Sequence, residues 1–323
     1  MGDASRVGEA RRWAAQITDE LGWNETDAGR LAIVATELAT NLVRHAQQGE
    51  IWIATRAAFQ EVEIIAVDRG PGIEDLAQAM RDGMSTGSGS PGTGLGALSR
   101  MADDFDIQSS AEGTICVVRV RPGSATRTSM SRAIGAVCLA VPPETVSGDA
   151  WAVAADHDVL SVIVADGLGH GPLASEAAQA AIQSFAQDPF APLAIQLQSC
   201  HRALHGTRGA AVLAVRVEAA ALEFCGAGNV MGRVFSGISD RAVLGQHGTV
   251  GVQIAKPMPS SLIRPEYAAS VLYSDGITSR WKSQDYVALL GRDPTLLAAS
   301  ILWHNTRNRD DATVVVLKAK ESL

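Results

Sequence analysis

Residues 1–128 contain no lysine; their basic residues are 12 arginines, set against 18 acids. That absence excludes a lysine-dependent phosphate-binding loop from this half, because such a loop needs an ammonium to reach the β- and γ-phosphates. A basic excess is missing throughout. The 323-residue chain carries a net charge of −8, and residues 129–323 hold 15 bases against 17 acids. Nucleic acid is bound through clustered positive charge, so it is not expected as a partner of either half. Cysteine is sparse: Cys116, Cys138, Cys200 and Cys225 lie far apart and form no metal-spaced pair. They read as small buried hydrophobes in a reducing compartment. No apolar run is long enough to span a bilayer, and the first residues are polar and charged, unlike a signal peptide. A cytoplasmic chain without membrane association is expected.

What is present suffices for two cores: hydrophobic residues make up 46% and charged residues 19%. In residues 6–21, Val7, Ala10, Ala14, Ile17 and Leu21 recur at helical spacing. Asn24 with Asp27 resembles a capping box, opening a second helix to about Ala46. Residues 51–57 and 61–68 alternate as paired strands. A glycine- and serine-rich stretch from Arg69 to Gly96 precedes a helix to about Ala102 and strands near 105–110 and 114–121. Residues 122–131 are small and polar, giving a linker at 123–131 between domains at 1–122 and 132–323. The second domain is expected to have strands near 133–141, 149–155, 159–165, 209–217, 220–225, 230–235, 269–274 and 312–318. Its helices are expected near 172–186, 190–205 and 294–304. The fold class is therefore α+β in two domains.

Two sets of polar residues stand out. On the second helix, Glu37, Asn41 and His45 are spaced i, i+4, i+8 and share one face, beside an apolar stripe of Leu31, Val34, Leu38 and Leu42. An amide oxygen can ligate Mg²⁺, and a carboxylate one turn away can orient a hydroxyl attacking a γ-phosphate. The strand at 63–67 ends in Asp68, followed by Gly70 and Gly72, where an acid can accept from an exocyclic amine while the backbone lies close to a ring. Gly92, Gly94 and Gly96 then lead into a helix whose N-terminal amides can hold phosphates without lysine. In the second half, Asp149, Asp166-Gly167, Asp275-Gly276 and Asp310-Asp311 all sit at ends of apolar strands. Four carboxylates converging on one sheet edge would repel one another unless divalent cations neutralise them, and a pair of hard metal ions can activate water for attack on phosphorus.

In order and spacing, Ala35-Thr36-Glu37-Leu38-Ala39-Thr40-Asn41, Val67-Asp68-Arg69-Gly70-Pro71-Gly72-Ile73 and Gly92-Thr93-Gly94-Leu95-Gly96 resemble the nucleotide motifs of Bergerat-fold (GHKL) ATPases. The resemblance covers about residues 5–121 and is nearest to the RsbT-like serine/threonine switch kinases and anti-sigma factors. It implies an α/β sandwich that binds ATP and Mg²⁺. Glu37 would be the general base and Asn41 the Mg²⁺ ligand. His45, Asp68, Gly70, Gly72, Thr93, Gly94, Leu95 and Gly96 would line the nucleotide pocket.

The second set resembles the metal-dependent protein phosphatases (PPM family), in the SpoIIE-type branch that includes RsbX-like phosphatases, over about residues 131–318. That implies an αββα sandwich holding two Mn²⁺ or Mg²⁺ ions through Asp149, Asp166, Gly167, Asp275 and Asp310. Asp166 would bridge the two ions, and Asp311 would be a neighbour. Ser147-Gly148 stands where that family has a double glycine. Together the resemblances imply a bifunctional regulator of a stressosome-like partner switch. It would phosphorylate serine or threonine on STAS-domain proteins with Mg-ATP and remove the phosphate again. One alternative makes the first domain an ATP sensor or anti-sigma binding module; another makes the second a docking scaffold.

Overall fold

The computed structural model describes residues 5–81, 94–125, 133–218 and 220–318. The chain separates into two compact units divided between Ser131 and Arg132. Of the expected linker, residues 126–131 lie outside the described residues. Its first residues are tied to the N-terminal unit, with the Gly123 N–H donating to Asp27 Oδ2 at 3.0 Å.

The N-terminal unit opens with α1 (Ser5–Glu20) and α2 (Glu25–His45). Asn24 caps α2 as its spacing to Asp27 suggests: Oδ1 accepts from the Asp27 N–H at 2.9 Å, while Nδ2 donates to Asp27 Oδ2 at 2.7 Å. Asn24→Ala is expected to cost about 1 kcal/mol, read as a lower urea midpoint of the N-terminal unit. Four antiparallel strands follow: β1 (Glu50–Arg56), β2 (Glu61–Val67), β3 (Asp104–Ser110) and β4 (Gly113–Val120), in the order β1-β2-β4-β3. Between β2 and β3 lie a one-turn helix, α3 (Leu76–Ala79), and α4 (Gly94–Met101). One sheet face presents Val62, Ile64, Ala66, Cys116, Val118 and Val120 to the apolar stripe of α2, forming a single core with Ala14 and Leu98. The stripe of Leu31, Val34, Leu38 and Leu42 therefore points inward, turning the Glu37 and Asn41 side of α2 away from the core.

The C-terminal unit contains two five-stranded antiparallel sheets. The first comprises β5 (Ile134–Leu139), β10 (Met231–Phe235), β11 (Asp240–Leu244), β15 (Ala269–Tyr273) and β16 (Ala312–Leu317), ordered β11-β10-β15-β16-β5. The second comprises β6 (Asp149–Asp156), β7 (Val159–Gly167), β8 (Ala210–Val217), β9 (Ala221–Ala227) and β14 (Ser260–Ile263), ordered β14-β9-β8-β7-β6. A two-stranded ribbon joins β12 (Gly248–Thr249) and β13 (Gln253–Ile254). Helices α5 (Pro172–Gln187) and α6 (Leu193–Ala203) pack on the second sheet, and α7 (Pro294–Asn305) packs on β5 and β16. The layers are αββα, as expected.

α6 begins three residues later than its sequence pattern suggests, because Pro192 occupies the N-cap in an extended conformation. Strands β11 to β14 carry no usable sequence signal: they span two to five residues each and are mostly exposed, so no period-2 burial pattern develops.

Candidate nucleotide and metal sites

The nucleotide-site residues come from three places in the N-terminal unit: α2, the turn after β2 and the start of α4. Glu37 and Asn41 are half-buried on α2, and His45 is exposed at its last turn. Asp68 follows β2 and is buried, and desolvation pushes its carboxyl above the ordinary range, offset by N–H groups of Gly70 and Thr114. The Gly70 N–H reaches Asp68 Oδ1 at 2.6 Å. A methyl group on Gly70 would stand 2.9 Å from that oxygen and 3.3 Å from the His45 carbonyl, so the glycine lets the Asp68 turn close on the end of α2. Gly72, at φ +75°, lies against β3: an added Cβ would meet the Ser110 carbonyl at 2.1 Å.

Gly94 opens α4 with open space around its Cα, Gly96 is buried, and Leu95 packs against the core. Leu95 could therefore serve a nucleotide only through its backbone. Thr93 lies outside the described residues. Sequence reading missed the support beneath this turn. Ser109 Oγ accepts from the Ile73 N–H at 2.7 Å and pairs with Thr114 Oγ1 at 2.8 Å. Two hydroxyls on paired strands are its only signal, and they are too common to single out.

In the C-terminal unit the acids gather by strand register. Asp149 and Asp166 are direct partners across the β6–β7 ladder, so their side chains share one sheet face. Asp275 follows β15 and Asp310 precedes β16, two strands joined by Tyr273 opposite Val314. Burial raises the pKa of the Asp166 carboxyl, and Asp149, Asp275 and Asp310 raise it further; the backbone N–H of Asp275 donates to it and partly offsets this. Burial also raises that of Asp149, which is 4% exposed. Ser274 and Thr313 counter this in part, and the charges of Asp311 and Asp310 add to it.

Asp311 acts as a brace. At 2% exposure, it accepts from the N–H groups of Val141 at 2.8 Å and Gly148 at 2.7 Å, holding the segment that delivers Asp149. Ser147 adds to this, its Oγ accepting from the Asp149 N–H at 3.1 Å. Asn229 donates to Asp275 Oδ2 at 2.5 Å, which gives the Ala227-Gly228-Asn229 turn a purpose. Gly167 is required by packing, since a Cβ there would strike the Ala174 carbonyl of α5 at 2.0 Å.

Among the described residues, no three acidic, histidine or cysteine side chains stand as a finished ligand shell. Two observations nonetheless fit a divalent ion. Asp149 Oδ2 is buried with no hydrogen-bond partner, and the carboxyls of Asp149, Asp166 and Asp310 are each raised above the ordinary range by burial first and by neighbouring acids second. Hard oxygen donors under mutual repulsion suit Mg²⁺ or Mn²⁺.

The profile of a histidine kinase-like ATPase domain matches residues 2–120. Serine/threonine-protein kinase RsbT of Bacillus subtilis (strain 168) is 40% identical over 108 residues, 32% of this chain and 80% of that kinase. The chain belongs to the RsbT-type serine/threonine kinase family.

Its family membership rests on the N-terminal unit; solved structures match the C-terminal part of this RsbT-type chain. A chain from a study of the bacterial stressosome, described as a modular system adapted to control secondary messenger signalling, is 28% identical. It superposes with a TM-score of 0.54 over 57% of this chain and 98% of its own. RsbX in complex with magnesium is 21% identical, with a TM-score of 0.51 over 56% of this chain and 92% of its own. A serine/threonine phosphatase from S. agalactiae, at 14% identity and a TM-score of 0.50, covers 58% and 98%. These last two matches establish a fold. The RsbT-type chain thus joins a kinase-family unit to one with the fold of metal-dependent serine/threonine phosphatases. No helix among the described residues is long and apolar enough to cross a membrane.

Proposed function

We propose that this chain is a bifunctional partner-switch regulator that adds phosphate to serine or threonine on STAS-domain proteins and removes it again. The observation that carries this reading is the presence of both sites in one chain. A lysine-free nucleotide turn lies around Asp68, and a converging carboxylate edge lies around Asp166, in units related to RsbT and to RsbX.

In the kinase half, Asp68 accepts from the adenine amine, its carboxylate aimed by the Gly70 N–H. Asn41 offers an amide oxygen to the Mg²⁺ that accompanies ATP, and the amides at the start of α4 face its phosphates. Glu37, one turn before Asn41, orients the incoming hydroxyl and takes its proton.

In the phosphatase half, Asp149, Asp166, Asp275, Asp310 and the Gly167 carbonyl would hold two Mn²⁺ or Mg²⁺ ions. Bound there, the ions would supply an activated water and neutralise charge on the phosphoryl group. Asp311 sets the position of Asp149, and Asn229 that of Asp275.

The test is transfer of label from γ-labelled ATP to a STAS-domain protein encoded beside this chain. Wild type should label the partner transiently when Mn²⁺ is added. Glu37→Ala should slow labelling at least about 10²-fold, the scale of general-base catalysis. ATP binding with no transfer would leave the N-terminal unit as a sensor and overturn the kinase assignment. Asp311→Ala is expected to weaken Mn²⁺ binding about 10–100-fold by releasing the segment before Asp149, measured calorimetrically on the full chain.

A further inference from the structure

The carboxylate edge leaves one requirement unmet. A phosphoserine or phosphothreonine brings a dianion to a site built from acids, and metal ions held there would already be engaged by those acids. A fixed cation beside the edge would hold the phosphoryl oxygens not bound to metal.

The structure places such a group. Strand β7 pairs with β8 so that Asp166 lies opposite Ala211 and Gly167 opposite Ala210. The pairing runs on past the strand ends, with the Leu168 N–H donating to the Gly209 carbonyl at 3.0 Å. One step further, Gly169 comes opposite Arg208. The guanidinium lies over that glycine: Arg208 Nη1 would be only 3.0 Å from a Cβ at position 169. Gly169 has φ +90°, so its backbone also favours the side-chain-free residue that makes room for the arginine.

The turn carrying Arg208 is held from both sides. Thr207 Oγ1 donates to the Leu204 carbonyl at 2.8 Å and accepts from the Gly209 N–H at 3.0 Å. Arg208 is nevertheless exposed, and among the described residues its side chain has no hydrogen bond or ion pair. The nearby Glu144 is already engaged with His170 at 2.9 Å. An arginine on a braced turn, three residues along the ladder from Asp166 and without a protein partner, has its forked donors available to an arriving ligand. The loop it covers also carries exposed apolar side chains: Leu168 is 47% exposed and Leu173, on the first turn of α5, is 52% exposed. They offer contact to residues flanking a phosphorylated side chain.

We infer that Arg208 is a substrate-binding residue of the phosphatase site, donating to the phosphoryl oxygens of a phosphoserine or phosphothreonine. The inference rests on the phosphatase reading and adds to it the group that grips the phosphate.

The test uses the full chain with Mn²⁺, a phosphoserine peptide as substrate and inorganic phosphate as inhibitor. Arg208→Ala should raise KM and the phosphate inhibition constant together, by about 10–100-fold, the scale of a charged hydrogen bond. Loss of binding alone leaves kcat nearly unchanged. Arg208→Lys should recover part of the effect, because it restores the charge without the fork. Mn²⁺ affinity should match wild type, separating this role from damage to the metal edge. Arg309→Ala, at an exposed arginine beside Asp310, is the control for general surface charge.

The inference is overturned if Arg208→Ala leaves KM and phosphate inhibition unchanged, or if Arg309→Ala produces an equal effect. Wild-type chain inactive on every phosphopeptide would sink the phosphatase reading and this inference with it. Wild-type KM and phosphate inhibition in Arg208→Ala, beside lost turnover in Asp166→Asn, would leave the phosphatase reading intact and refute the role of Arg208.

Discussion

Asp166→Asn is expected to reduce phosphatase activity by at least about 10³-fold, some 4 kcal/mol of transition-state stabilisation. The same change should leave the metal-free chain no less stable, or raise its melting temperature. In the fold, the Asp166 carboxylate is half-buried opposite Asp149 and feels Asp275 and Asp310, all of like charge. Asparagine removes that repulsion, keeps nearly the same volume, and its amide oxygen can still accept from the Asp275 N–H. Opposite signs for activity and metal-free stability are the signature of a ligand held against its own electrostatics. Melting curves in chelator, paired with phosphopeptide turnover in Mn²⁺, check both halves. A variant that melts several degrees lower would show that Asp166 is a structural acid instead. Retained turnover would remove it from the site.

Arg119→Ala is expected to destabilise the N-terminal unit by about 3–5 kcal/mol, the cost of stranding a buried charge. Arg119 is fully buried on the sheet face opposite α2, its Nε 2.7 Å from Glu63 Oε2 and 3.7 Å from Glu61 Oε1. Arg56 lies 2.7 Å from Glu61 Oε1, and Arg121 pairs with Glu61 and Asp104. Burial already raises the pKa of Glu61 from 4.5 despite three neighbouring arginines. A group raised in the folded state contributes its stability below the unfolded value and loses it as pH rises through the folded one. Removing Arg119 raises Glu61 further, so the variant's deficit should be largest near neutrality and shrink as pH approaches 4.5. Urea unfolding at several pH values measures this. A deficit independent of pH would mean that lost packing, and not lost charge, sets the cost.

Some features could be read early because they depend on neighbours in the chain. The Asn24 cap, the apolar stripe of α2 and the placement of Asp68 and Asp166 at strand ends follow from spacing, and the structure bears them out. The short strands β11–β14 and the late start of α6 were not legible, the first for want of length and the second because one proline outweighs an apolar pattern.

The amino-acid sequence determined which residues are candidates and on what kind of element each sits. Helical and strand periodicities, caps and glycine turns act over a few residues, where sterics and hydrogen bonding are local. Tertiary structure decided what lies beside what. Alternation in Glu61-Val62-Glu63-Ile64 separates two faces, but only the folded sheet shows that Glu61, Glu63 and Arg119 are all buried. Asp311 looks like the second of two adjacent acids until Val141 and Gly148, more than 160 residues away, donate to it. The meeting of Asp149 and Asp166 with Asp275 and Asp310 likewise depends on one sheet packing against the other, since β6–β7 and β15–β16 belong to different sheets, and no local pattern encodes that.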